Sequence, residues 1–467
     1  MNATTPGDAA EAAARHFMRF LEATEDFDAF EEEVDAASRG LAAAAAAECL
    51  EAYDDRLFEE RPRSWRSLGR PARTVVSVFG AVTYRRRLYE DEYGRRRYLL
   101  DELLGVPRRA RFTPGALTWM VRRAARVSFR QAAADFGAMS RVRVSAMCVW
   151  RAVQREAALI ASEDRPPRNV SQADVYAECD GLFVAMQSPG RRAGALPRFL
   201  YEQAREKKSL ELKCGCVYAG RREASPGRRE RGNVALVATA GDAAEFWEAM
   251  ASAIRADYDV GDIETLHLAS DGGPWCVNHR LDGVGAAVDQ GLDLFHVLQK
   301  VVRAFPEGAG REHLFSLALR KRPERLAEAC LRMLPAISGP RREKVRGLAS
   351  YVSSNADLLR GTSLGTMEAT NAYAWAKRMK SFGCSWSRAG ADAMAKVISR
   401  TACGRPLAPF PKDALFTEGE IGLRERAVAE RGAEAARQMS VGSGWEYPNG
   451  VQTWTLPREQ RFRARTC

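Results

Sequence analysis

Val175-Tyr-Ala-Glu-Cys-Asp-Gly-Leu-Phe-Val-Ala-Met186 is the stretch on which the fold turns. Its β-branched and aromatic residues read as a strand, yet Asp180 interrupts it with apolar residues on both sides. A carboxylate there costs stability unless it is paired or binds a metal. A second run, Ile263-Glu-Thr-Leu-His-Leu-Ala-Ser-Asp-Gly-Gly273, ends in Asp271 beside small residues that permit close approach of a backbone or phosphate. A third acid, Glu368, opens a helix. Two strand carboxylates and one helix carboxylate can converge on a pair of divalent cations about 3.5–4 Å apart, which stabilises the attacking and leaving oxygens of phosphodiester chemistry. Nucleic acid is the substrate this order of acids points to.

Outward from Asp180, strand-like runs cover 174–187, 209–218, 233–240 and 263–270, with a helix at 242–256 before the last of them. The fold class expected is multidomain α+β, with an RNase H-like mixed sheet carrying the first acid on its first strand and the second after its fourth. Those strands are neighbours in such a sheet, so Asp180 and Asp271 can meet across 91 residues of sequence. Residues 309–360 are helical throughout and read as an insertion that splits the catalytic core into 170–308 and 361–404. The tail, 405–467, has Pro, Gly and charge without firm periodicity and is expected to be partly disordered.

Upstream, 1–60 is a helical region, and 61–112 is an Arg-rich segment in which Thr74–Tyr89 forms a hairpin bent at Gly80, with Arg85, Arg86 and Arg87 at its tip. Residues 113–163 return to helical spacing. A helix, a Gly break and a Ser-capped second helix there have the outline of a helix-turn-helix, which plain helical packing shares, and both readings stay open. A charged, Pro-containing linker at 164–169 marks the next boundary.

Composition bounds the function. The 467 residues carry a formal net charge of +11, which favours a polyanionic partner, although Arg and Ala richness can also reflect a GC-rich genome. Distribution is more telling: residues 61–130 hold eighteen Arg and no Lys against five acids, more than the whole net charge. Arg85 to Arg87, Arg122 and Arg123 suit phosphate backbone as a set, while singly each reads as a solvated face. Ten cysteines lack the spacing of a disulfide scaffold or zinc module; the pair Cys214 and Cys216 reads as buried packing. No run approaches a membrane span and the N-terminus lacks a signal-peptide pattern, so a cytoplasmic, nucleoid-associated protein with no membrane partner is expected.

Each acid also has a structural reading, since Asp-Gly is a common turn dipeptide and an acid suits a helix N-terminus. Four segments tie them together: Glu178-Cys-Asp-Gly-Leu-Phe-Val184, Ala269-Ser-Asp-Gly-Gly-Pro-Trp275, Leu292-Asp-Leu-Phe-His296, and Gly365-Thr-Met-Glu-Ala-Thr-Asn371 running into Arg378-Met-Lys-Ser-Phe-Gly-Cys-Ser-Trp-Ser-Arg-Ala-Gly-Ala391. In these the chain resembles the bacterial DDE transposases of the Mutator-like group, in particular the ISLre-type insertion-sequence branch, loosely from about residue 74 to 400. The resemblance implies that Asp180, Asp271 and Glu368 are the catalytic triad and ligands of two Mg²⁺ ions, with Mn²⁺ able to substitute. It also implies that 309–360 is the family's helical insertion, and that Asp293 and His296 form its C/D-x-x-H signature.

The activity so implied is cutting transposon ends and joining 3′ hydroxyls to target DNA, by a homodimer or higher homo-oligomer on DNA. His296 would contact a scissile phosphate or move a proton; a satisfied Asp–His pair is the competing reading. Arg378 and Lys380 would contact phosphates and Trp386 would stack on a base, although core packing is the stronger reading for Trp386 and for Trp275. Two rivals remain: an RNase H-like nuclease or resolvase without strand transfer, and a non-catalytic DNA-binding protein derived from a transposase.

Overall fold

The computed structural model describes residues 6–104, 106, 110–163, 168–187, 209–285, 287–381 and 383–407. The linker expected at 164–169 falls mostly outside them, as does nearly all of the 405–467 tail. The chain divides into two units between Arg155 and Glu156, inside the helix Ala146–Ser162 and upstream of the Pro-containing segment where composition placed a boundary. No described helix is long and apolar enough to cross a membrane.

The second unit is built on a five-stranded mixed sheet: β1 (Asp174–Ala185), β2 (Ser209–Tyr218), β3 (Ala235–Thr239), β4 (Thr265–Ser270) and β5 (Ala287–Leu292). The strand order is β3-β2-β1-β4-β5. The first two pairings are antiparallel and the last two parallel. The first and fourth strands are therefore neighbours. Their register sets Ser270 opposite Cys179, so the next residue of each chain is Asp271 and Asp180.

Alternation along β1 sorts its side chains. Val175, Ala177 and Cys179 face a core of Val217, Val237, Leu266 and Leu268, closed by Phe246, Trp247, Met250 and Ile254 of the helix Ala243–Asp257. Asp242 caps that helix by accepting from the Glu245 amide at 2.9 Å. Gly215 lets the helix approach, since a Cβ there would lie 2.3 Å from Met250 Cε. Tyr176, Glu178 and Asp180 point to the other face, which the helical run after Gly365 touches.

Two elements differ from the sequence reading. A short hairpin, Arg221–Ser225 with Arg228–Arg231, lies between β2 and β3, and β5 adds a parallel edge strand. The helical block also begins earlier than 309: helix Leu294–Ala304 shares one hydrophobic cluster with Ala309–Leu319, Pro323–Met333, Gly339–Ser354 and Ala356–Arg360, through Val297, Val301, Leu314, Leu326, Val345 and Val352. Its entry and exit are stitched side by side, as the Leu294 amide donates to Ser363 Oγ at 3.1 Å. Gly291 and Gly361 permit this approach, because a Cβ on Gly291 would lie 1.9 Å from the Thr362 carbonyl oxygen.

The first unit starts with helices Pro6–Thr24 and Phe27–Glu60, the latter capped by Asp26. Ala43, Ala47 and Leu57 pack on Val75, Val82 and Tyr84 of the hairpin Ala72–Ser77 and Gly80–Arg85. The turn lies at Ser77–Gly80, where Gly80 has φ +131° and the Ser77 hydroxyl donates to the Gly80 carbonyl at 2.8 Å. Arg85, Arg86 and Arg87 therefore leave the far end of the second strand and are not a tip. Arg86 is buried and donates to Asp101 at 2.8 Å, while Arg87 pairs with Asp54 at 2.9 Å and Asp55 at 2.7 Å. Buried carboxylates demand such partners, so part of this segment's cationic excess is internal. Arg85 stays exposed. Helices Pro114–Ala124, Phe129–Ser140 and Ala146–Ser162 follow, Ser128 capping the second by accepting from the Gln131 amide. Arg123 pairs with Asp135 at 2.5 Å, leaving Arg122 exposed on the same helix.

Candidate active site

Asp180 is 7% exposed on β1. Its Oδ1 accepts from the Gly181 amide at 2.7 Å and its Oδ2 from Asn371 Nδ2 at 2.9 Å. His296 Nε2 stands 4.0 Å from Oδ1. Burial pushes the Asp180 carboxyl up to about 6; His296 and the Gly181 amide oppose this, and the charges of Asp271 and Glu368 add to it. The charges of Asp271 and Glu368 thus both act on Asp180.

Asp271 follows β4 directly. Its Oδ1 accepts from the Gly273 amide at 2.8 Å, and its carbonyl accepts from the Tyr351 hydroxyl at 2.6 Å. Gly272 holds φ +77°, and a Cβ there would lie 2.6 Å from Asn355 Oδ1, so the turn after the acid needs glycine.

Glu368 is exposed near the start of a helical run: Met367–Asn371, one π turn Ala372–Ala376, then Lys377–Met379. Single π turns inside helices recur at functional sites. Asn371, three residues on from Glu368, occupies a neighbouring position on that helix and reaches Asp180.

Asp293 caps the helix Leu294–Ala304 through Oδ1, which accepts from the Phe295 amide at 2.9 Å. The residue is 3% exposed, and burial raises its carboxyl above the usual range, with Phe295 and His296 opposing and Glu178 and Glu368 adding. Asp293 and His296 therefore form no closed pair; His296 faces Asp180 as well. Among the described residues, Asp293 Oδ2 and Asn371 Oδ1 are buried without a hydrogen-bond partner.

No group of three His, Cys, Asp or Glu among the described residues is already drawn to metal-ligand spacing. The donor set nonetheless fits a hard divalent cation. Asp180, Asp271 and Glu368, with Asp293 beside them, offer oxygen donors, two buried acceptors are unpartnered, and mutual carboxylate repulsion is what a dication would offset.

Other proposed contacts are placed differently. Trp386 is 5% exposed and donates Nε1–H to the Met379 carbonyl at 3.0 Å, while its main chain bridges to Met186. Its ring faces the buried Arg378 guanidinium, 5.0 Å away, so it is packed instead of offered to a base. Arg378 is 5% exposed and close to Cys384, and burial lowers its pKa; neither it nor Trp386 presents a solvent-facing contact for phosphate. Lys380, just beyond, is exposed. Trp275 donates to Glu211 Oε1 at 3.1 Å and packs edge-on to Phe246.

The sequence reading overlooked three supports: Asn371, Tyr351 and Glu178. Glu178 alone left a signal, as a second acid two positions from Asp180 on the same strand face.

The profile of an uncharacterised protein family, UPF0236, matches residues 22–407. The UPF0236 protein in the vanSb 3′ region of Streptococcus gallolyticus is 24% identical over 379 residues, 76% of this chain and 78% of its own. Two UPF0236 proteins of Caldanaerobacter subterraneus subsp. tengcongensis are 23% and 24% identical over 391 residues, each match covering 80% of this chain and 78% of the relative. Their names join eleven and four locus designations respectively. With a profile match over most of its length, the chain belongs to the uncharacterised protein family UPF0236.

Proposed function

We propose that the chain is a DNA transposase of the DDE type, built on an RNase H-like sheet interrupted by a helical insertion. The observation that carries the reading is the β1–β4 register, which brings Asp180 and Asp271 to adjacent strand positions while Glu368 acts on the same carboxylate from the following helix. The strand order β3-β2-β1-β4-β5, with the first strand beside the fourth, supports the reading.

Asp180, Asp271 and Glu368 would hold two Mg²⁺ ions, which supply activation of a water or 3′ hydroxyl and charge neutralisation at the leaving oxygen. The chain's own residues then have separate duties. Asn371 and the Gly181 amide fix both oxygens of Asp180, so its donors are set before DNA arrives. His296, whose Nε2 lies 4.0 Å from Asp180, would donate a hydrogen bond to a phosphate oxygen or take a proton from the attacking hydroxyl. Exposed Arg85, Arg122 and Lys380 would contribute to phosphate backbone contacts, with the helices of 113–163 reading element ends. A dimer or higher assembly would hold two ends together, in the bacterial cytoplasm at the nucleoid.

The relatives add support. One relative's name joins eleven loci of a single organism, the multiplicity that a gene copying itself about a genome would leave.

The deciding experiment incubates purified protein with labelled DNA from the flanks of its gene, a target plasmid and Mg²⁺. Joined molecules carrying label on the plasmid are expected. Cleavage without joined products would replace the transposase by a nuclease, and binding with neither would leave a non-catalytic DNA-binding protein.

A further inference from the structure

The carboxylate of Glu178 is 1% exposed and fully engaged. Its Oε2 accepts from the main-chain amides of Thr366 at 2.7 Å and Met367 at 3.1 Å; its Oε1 accepts from the Tyr218 hydroxyl at 2.8 Å and from the Thr366 hydroxyl. The amides belong to the start of the helical run that carries Glu368, a place where N–H groups have no partner within the helix. No local cap serves: Thr366 makes no side-chain cap bond of its own. The acceptor comes instead from a strand nearly two hundred residues earlier.

Two positions further along the same strand face sits Asp180. One strand thus presents two carboxylates, one to the reacting centre and one to the helix bearing the third acid. The hairpin overlooked in the sequence completes the grip. Arg231 donates through Nη1 to the hydroxyls of Thr366 at 3.2 Å and Thr370 at 3.0 Å, and through Nη2 to Tyr373 at 2.9 Å; Arg221 donates to the Leu364 carbonyl.

We propose that Glu178, seconded by Arg231, is a positioning residue that locks the Glu368 helix to the strand of Asp180 and so sets the spacing of the acids. This rests on the site assignment above, but the lock itself is a statement about the helix and has its own readout. Acting by acceptor geometry, Glu178 has a particular tolerance. Glutamine can keep its oxygen on the two amides and turn its amide group to the Tyr218 and Thr366 hydroxyls, which rotate to accept. Aspartate keeps the charge but is one methylene short of the amides.

The test compares Glu178→Gln and Glu178→Asp with wild type, in the full chain, by hydrogen exchange of amides 366–379 and by Mg²⁺-dependent strand cleavage of the flanking DNA. Expected for Glu178→Asp is faster exchange confined to 366–379, and a kcat about 100-fold lower with KM for DNA little changed, the size of effect an ångström of misplacement produces. Glu178→Gln should stay within about tenfold of wild type in kcat and keep the protection. Arg231→Met should loosen the same amides and no others. The reverse order, Asp retaining and Gln losing, would make Glu178 a charge and overturn the lock. So would unchanged exchange in Glu178→Asp, or loosening spread evenly over the unit. If wild type cleaves no DNA, the functional assignment fails while the exchange data still decide the lock.

Discussion

Tyr351 donates its hydroxyl to the main-chain carbonyl of Asp271 at 2.6 Å, so a helix of the helical block holds the turn that presents the second acid. Lys300 Nζ lies over the same ring, 4.4 Å from its centre. Tyr351→Phe should cost about 1 kcal/mol in denaturant unfolding, one hydrogen bond to a part-buried carbonyl. Strand cleavage should fall about tenfold through kcat, since the Asp271 turn loses a support and not a ligand. An unchanged kcat would confine Tyr351 to stability.

The raised carboxyl of Asp180 makes stability depend on pH. Its folded value of about 6 lies above the usual carboxylate value near 4, so the stabilising effect of protonation is complete below about pH 4 and is lost as pH rises through about 6. Kept free of metal by chelator, wild type should melt higher at pH 5 than at pH 7. The stability difference between pH 5 and pH 7 should shrink in Asp180→Asn, by about 1 kcal/mol. Adding Mg²⁺ at pH 7 should raise the melting temperature of wild type more than that of the variant. Parallel pH curves for the two proteins would count against the shift.

Arginines of the first unit should separate into two kinds. Arg86→Ala strips a buried partner from Asp101 and should destabilise by about 3 kcal/mol, with Arg73 left to serve the same carboxylate at 2.6 Å. Arg122→Ala should change stability by less than about 0.5 kcal/mol while weakening DNA binding and flattening its salt dependence by about one ion. Urea melts and salt-titrated gel shifts read the two effects. A salt-slope loss in properly folded Arg86→Ala would return that side chain to the DNA-facing set.

Gly272→Ala combines a left-handed backbone with a Cβ 2.6 Å from Asn355 Oδ1 and 2.9 Å from Leu292 Cδ1. A loss of about 2 kcal/mol or more is expected. Gly283→Ala, where a Cβ would meet nothing within 4 Å, is the control and should melt within a degree or two of wild type.

The sequence revealed the first four strands of the sheet because Asp174–Ala185, Ser209–Tyr218, Ala235–Thr239 and Thr265–Ser270 are dense in buried apolar residues. It concealed β5, whose Ala-Val-Asp-Gln-Gly-Leu buries only its last two positions, and the hairpin after β2, whose Arg and Glu look like a charged loop. Asp180 and Asp271 were visible as acids in odd surroundings, whereas Glu368 stood out only through the segment that carries the resemblance. Their supports were not, because Glu178, Tyr351 and Asn371 acquire meaning only from partners 80 to 191 residues away. Trp386 follows its stronger sequence reading, core packing, and its ring faces the buried Arg378 guanidinium.

The stitch between Leu294 and Ser363 gives the helical block the thermodynamics of a closed loop. Because its two ends meet whatever lies between them, lengthening the block changes the closure entropy only logarithmically, about 0.6 kcal/mol for each doubling. Apart from His296, Tyr351 and Asn355, which touch the site or its turn, residues between those ends are therefore free to drift, shorten or take on new surfaces. A graft that keeps Gly291, His296, Tyr351, Gly361 and Ser363 should carry foreign helical sequence elsewhere in the same berth.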